Sequence, residues 1–155
     1  MRSPPSSTLE RFGLALAIFT ILVAIIATQW PFDYHLTSYG LGRRWARVDW
    51  NWMARRPSGA IRIDRDLYQN LAMFIPLGFG YALWSRARGI RIVITSLVIG
   101  LVASSLLEVG QLLTPHRYTT WADVWRNALG CLVGAWAVVA VRSTRFTAPA
   151  PPRHR

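Results

Sequence analysis

With 155 residues and 52% hydrophobic content the chain has the length of one domain, and its single Cys131 excludes a disulfide framework or a cysteine-based metal site. All 18 basic residues are arginine, and the formal net charge is +11. The arginines lie between and beyond the apolar segments rather than in a separate basic domain. This argues against nucleic acid as a partner and for contact with anionic membrane lipids.

The apolar residues fall in four blocks, 12–30, 67–84, 92–113 and 124–141. Each is close to the roughly 20 residues that cross a bilayer's hydrocarbon. A soluble bundle would show polar residues at helical spacing, yet residues 12–26 contain none but Thr20. The blocks predict an all-α, polytopic integral membrane protein. Its four transmembrane helices fall at about 12–30, 66–84, 92–113 and 123–141, and the second is kinked.

Residues 1–11 are short and polar, with Arg2 and Arg11 flanking the first block. That block is long for a signal peptide, and no small-x-small cleavage pattern follows Ala27. It reads as a retained anchor ending where Trp30 and Pro31 meet the membrane interface. In the connection 31–65, Leu41, Trp45, Val48 and Trp52 recur at spacings of four, three and four, among Arg43, Arg44, Arg47, Arg55 and Arg56. Two readings stay open: an amphipathic helix lying in the membrane surface, or a loop whose tryptophans touch the interface. Pro57, Ser58 and Gly59 then read as a turn.

The second block opens on Asp66 and Asn70 and carries Pro76 among Ile75, Leu77, Gly78 and Gly80. Proline removes a helical hydrogen bond, which predicts a kink. The loop 85–91 holds Arg86, Arg88 and Arg91 and no acid. In the third block Gly100, Ser104 and Glu108 share one helix face, which Gln111 completes. A polar loop with His116 and Arg117 leads to the fourth block. There Asp123 and Asn127 echo the Asp66–Asn70 spacing, and Gly130 and Gly134 allow close approach of another helix. The echo suggests two duplicated hairpins in parallel orientation. Residues 142–155, rich in Pro, Ala and Arg and including His154, read as a disordered tail.

The arginines of loop 85–91 predict that it is cytoplasmic, together with both termini, leaving 31–65 as the extracytoplasmic loop. Seven arginines in 31–65 pull against this orientation. Whichever side is which, the second helix starts, the third ends and the fourth starts on one membrane face. Asp66, Asn70, Glu108, Gln111, Asp123 and Asn127 should therefore share a depth there, with Arg117 and His116 above them.

Glu108 lies about one turn inside an apolar block, where a charge needs a partner. It is either half of an ion pair with Arg117 or Arg126, or a working group. Asp66 and Asp123 stand where helix caps stand, and capping alone accounts for them. Asn70 and Asn127 are interhelical glue or pocket-lining donors, and Arg126 can pair with Asp123 at i,i+3. The set suits three ends: a headgroup pocket built on Arg117, acid–base chemistry by Glu108, or a hard-cation site. No Ser-His-Asp spacing, HExxH or phosphate-cradling glycine loop is present, so no catalytic residue beyond the candidate Glu108 is assigned, and no metal or cofactor.

The order D-x3-N-x3-F-x-P-x-G, then E-x2-Q, then R, then D-x3-N-x2-G-x3-G resembles the VanZ-like membrane proteins. Here it is carried by Asp66, Asn70, Phe74, Pro76, Gly78, Glu108, Gln111, Arg117, Asp123, Asn127, Gly130 and Gly134. The resemblance covers residues 66–141 and implies a bacterial cell-envelope setting, associated with glycopeptide resistance of the teicoplanin kind. It implies no reaction. The expected role is binding or shielding of an amphiphilic ligand: a lipid-linked precursor, an anionic lipid or a lipoglycopeptide. The alternatives are a small membrane enzyme acting on a lipid-linked substrate, or a structural subunit that packs a partner helix or a second copy on Gly130 and Gly134.

Overall fold

The computed structural model describes residues 8–51, 65–85, 89–115 and 117–146. Among these the chain is all helical: α1 (Thr8–Gln29), α2 (Ser38–Trp45), α3 (Arg65–Trp84), α4 (Ile90–Leu112) and α5 (Trp121–Phe146). No strand forms among the described residues; one isolated bridge pairs Asp49 with Thr120.

Among the described residues three helices, α1, α4 and α5, are long and apolar enough to cross a membrane. The sequence predicts four such spans, and the difference lies in α3. This helix has 20 residues but opens on Asp66, Gln69 and Asn70. Its position explains its lower apolarity, because α3 packs between α1 and α5. Its neighbours are protein, and of its large apolar residues only Tyr68 and Trp84 are exposed. It is helical without interruption from Arg65 to Trp84, through Pro76.

Helix α4 shows the inverted pattern of a helix that faces hydrocarbon. Its large side chains Ile94, Val98, Val102 and Leu106, four residues apart, are more than half exposed. Ser96, Gly100 and Ser104, on the opposite face, are buried. Water would drive the large residues inward. A bilayer instead rewards close backbone packing over small residues. The same reasoning covers α1, which exposes Phe12, Ile18, Phe19, Leu22 and Ile26.

The tightest joint runs between α3 and α5. A Cβ on Gly78 would strike the Cys131 carbonyl, one on Gly130 the Leu71 carbonyl, and one on Gly134 the Ile75 carbonyl. Phe74, Leu77 and Cys131 fill the core beside this joint, with Ala24 of α1 and Leu107 of α4.

Among its described residues the connection after α1 contains one short helix. Thr37 caps α2 by accepting from the Gly40 N–H at 3.3 Å. The helix takes in Leu41 and Trp45 but ends there; Val48 lies just past the turn that follows, and Trp52 lies outside the described residues. It stops because the chain turns to reach Thr120: Asp49 N–H donates to Thr119 O at 3.1 Å, and Trp121 N–H to Asp49 O at 2.8 Å. At the other end of the chain α5 continues to Phe146, so 142–146 are helical where the sequence predicts disorder. The expectations for Arg2, Arg55, Arg56, residues 57–59, Arg86, Arg88, His116 and His154 fall outside the described residues.

Candidate functional site

Helix α5 begins where two loops meet, and its first turns gather most of the polar side chains. Thr120 Oγ1 accepts from the Asp123 N–H at 3.2 Å, which is the hydrogen bond of an N-cap. The cap is thus Thr120, not Asp123. The Asp123 carboxylate is left for tertiary contacts: Asn70 Nδ2 donates to its Oδ1 at 2.6 Å, and Arg126 Nη1 donates to the same atom at 2.9 Å. One oxygen therefore joins α3 to α5 and anchors a guanidinium that is mostly buried. Asp66 is exposed, in the first turn of α3.

One turn deeper, Asn127 is buried and donates through Nδ2 to Ser104 Oγ on α4 at 2.8 Å. Among the described residues its Oδ1 has no partner, nor has the Oγ of buried Ser96. Glu108 is 5% exposed. Its Oε2 accepts from the Thr120 N–H at 3.1 Å, and its backbone carbonyl accepts from Thr119 Oγ1 at 3.3 Å. Glu108 thus fastens the 113–120 loop onto α4. Neither expected ion pair forms: Arg126 is held by Asp123, and Arg117 reaches across to α1. Arg117 Nη2 donates to Ala27 O at 3.4 Å and to Trp30 O at 3.5 Å. Gln111 is half-buried near the end of α4.

The predicted cluster therefore resolves into small bonded groups along α5, namely Asn70–Asp123–Arg126, Ser104–Asn127 and Glu108–Thr120, with Arg117 apart from them. Among the described residues no three His, Cys, Asp or Glu side chains come together as a metal site.

Two adjoining cavities open at this end, sharing Leu112 and Thr119. The first, of about 170 Å³, is walled by Trp45, Trp50, Trp121, Val48 and Val124, with Glu108 in its lining. Trp45 and Trp50 meet edge to face, with centroids 5.2 Å apart. The second, of about 320 Å³, is lined by Arg44, Arg47, Arg117 and Tyr118. Arg44 is fixed by donating from Nε to Leu112 O at 2.7 Å and from Nη2 to His35 O. A third hollow, about 540 Å³ and apolar, lies between α1 and α4. At its end buried Gln29 donates to Leu107 O at 2.9 Å.

Sequence reasoning misses Thr120 and Gln29, which are ordinary polar residues until the fold pairs them, and it names Ser104 only as part of the face shared with Gly100 and Glu108. It names Arg44 and Arg47 only as companions of the tryptophans. Their signal is the excess of arginine in 31–65, which pulls against the orientation expected from the loop 85–91.

A family model described as VanZ/LLP1 matches residues 10–142. The match takes in α1 and the arginine- and tryptophan-bearing connection as well as the motif region. No curated protein and no solved structure matches the chain.

Proposed function

We infer the role of this chain from one premise, that it belongs to the VanZ/LLP1 family. We propose a multi-pass protein of the bacterial cytoplasmic membrane, with α3 as a fourth span bent at Pro76 and both termini cytoplasmic. Its role is to bind or shield one amphiphilic envelope molecule at the extracytoplasmic face: a lipid-linked precursor, an anionic lipid or a lipoglycopeptide. The observation that carries this reading is the tryptophan-walled cavity lined in part by Glu108, which adjoins an arginine-lined one. Rigid aromatic walls suit an apolar chain, and a polar mouth beside them suits the group that the chain carries. Glu108 and Arg117 are central, Asn70 and Asn127 orient, Gln111 borders the site, and Asp66 and Asp123 are partly structural.

The test is teicoplanin susceptibility in a bacterial host expressing the wild type or Glu108→Gln at equal membrane abundance. Gln keeps a side-chain oxygen for the Thr120 N–H, so the helix–loop joint survives while the acid is lost. Protection by the wild type and not by the variant is the expected result. Equal protection by both would remove Glu108 from the site.

The presence of Glu108 in the wall of an apolar cavity also favours a second reading, an enzyme that uses it as acid or base on a lipid-linked substrate. Turnover of a labelled envelope lipid by the purified protein separates the two.

A further inference from the structure

We propose that Arg44, Arg47 and Arg117 form a binding site for a phosphate dianion, the terminal phosphate of the amphiphile that the adjoining cavity holds. The proposal deepens the reading given above and rests on it for the lipid part.

Three observations carry it. First, the three guanidinium groups come from separate parts of the chain, α2, the turn after it and the α4–α5 loop, yet line one cavity of about 320 Å³. That is more room than a bare phosphate needs, and it leaves space for what the phosphate is attached to. Second, among the described residues none of the three arginines has a carboxylate partner; Asp33 pairs with His35 and Asp123 with Arg126. Third, two of them are pre-aimed. Arg44 is held by the carbonyls of Leu112 and His35, and Arg117 by those of Ala27 and Trp30. Each spends part of its donor fork on backbone and keeps the rest for the cavity.

Guanidinium forks match phosphate oxygens in bidentate geometry. A phosphate monoester carries about −1.5 to −2 at pH 7, which calls for more than one cation. In the orientation proposed above these arginines also lie on the face that the charge rule disfavours, so topology alone does not account for them.

The experiment uses the full chain in nanodiscs of phosphatidylcholine containing a few per cent of fluorescent phosphatidic acid. The neutral diacylglycerol of the same chains is the lipid control, and inorganic phosphate is the competitor. The expected result is saturable binding of phosphatidic acid, weakened by salt, and about tenfold weaker in each of Arg47→Gln and Arg117→Gln. Arg47 makes no side-chain hydrogen bond among the described residues, so its replacement leaves the fold alone. Arg91→Gln, at the opposite end of the bundle, should bind as the wild type does.

Equal losses in Arg91→Gln and Arg47→Gln would mean general attraction of basic residues to the membrane surface, and would overturn the site. Displacement by inorganic phosphate at matching concentration identifies a free-anion site; phosphatidic acid at least tenfold tighter identifies a lipid-borne phosphate. Binding that survives both arginine changes but is lost in Trp121→Ala defeats the anion site and leaves the amphiphile reading standing. Arginine-dependent binding that ignores Trp121→Ala does the reverse.

Discussion

Asn70 and Asp123, which lie in the opening turns of α3 and α5, are joined by a 2.6 Å hydrogen bond, and Arg126 shares the acceptor from the other side. The two changes that break this arrangement differ in cost. In Asn70→Ala the carboxylate keeps Arg126, so the loss is one hydrogen bond to a charged group, about 1.5–3 kcal/mol. Asp123→Ala leaves a guanidinium whose side chain is only 12% exposed without its partner, and about 3–5 kcal/mol is expected. Unfolding midpoints in detergent should therefore rank wild type, Asn70→Ala, Asp123→Ala in falling order. A milder effect for Asp123→Ala would mean that Arg126 finds water.

The α3–α5 joint yields a sharper case. Because a Cβ at Gly130 or Gly134 would meet a backbone carbonyl, even alanine forces the helices apart. Backbone cannot swing aside as a side chain can. Gly134→Ala should lower the thermal midpoint by an amount of the order of an overpacked core, about 1–3 kcal/mol, and Gly134→Leu should abolish the monodisperse peak in size-exclusion chromatography. Gly42, with open space at its Cβ position, is the control whose alanine variant should behave as wild type.

Glu108 holds the amide of Thr120, so its removal should show in that amide. In Glu108→Ala, hydrogen exchange over residues 119–121 should quicken by about tenfold, the equivalent of one lost hydrogen bond. Glu108→Gln should stay near the wild-type rate. Loss of teicoplanin protection in a Gln variant with native exchange would then report chemistry rather than a loosened loop.

The orientation of the bundle can be read from thiols, because Cys131 is fully buried and should be silent to an aqueous maleimide. Ser38→Cys at the start of α2 and Ser143→Cys near the end of α5 place single exposed thiols at opposite ends. In intact cells Ser38→Cys should label with a membrane-impermeant reagent, and Ser143→Cys only after lysis. The opposite pattern would put the arginine-lined cavity in the cytoplasm.

Much of the helical layout is legible in the chain because a membrane helix announces itself by uninterrupted apolarity, as in α1 and α4. The buried face of α4 is legible too, since Gly100, Ser104 and Glu108 fall on one side. What stays hidden has physical causes. The cap of α5 is misassigned because Thr120 and Asp123 are both good capping residues, and only the fold shows which carboxylate is needed elsewhere. Arg117 follows Glu108 closely in the chain, but its long side chain spans to the end of α1 and leaves Glu108 to a backbone amide. The reduced apolarity of α3 signals a helix enclosed by others, a property that no window along the chain can reveal. The arginine-lined cavity beside α2 depends on the pairing of Asp49 with Thr120, a contact between residues 71 positions apart.

That pairing also gives the protein two unequal poles. At one, backbone hydrogen bonds from Asp49, Trp121 and His35 lace the two long connections together, with Glu108 and Arg44 tying them to α4. At the other, the described residues show side-chain bonds between helices instead, Tyr81 Oη donating to Thr95 Oγ1 at 3.0 Å and Arg142 Nη2 to Leu83 O at 3.5 Å. Heat or detergent should fray the bundle from the Arg142 pole, and any force that prises α1 away from α4 must first unlace the end that holds the tryptophans.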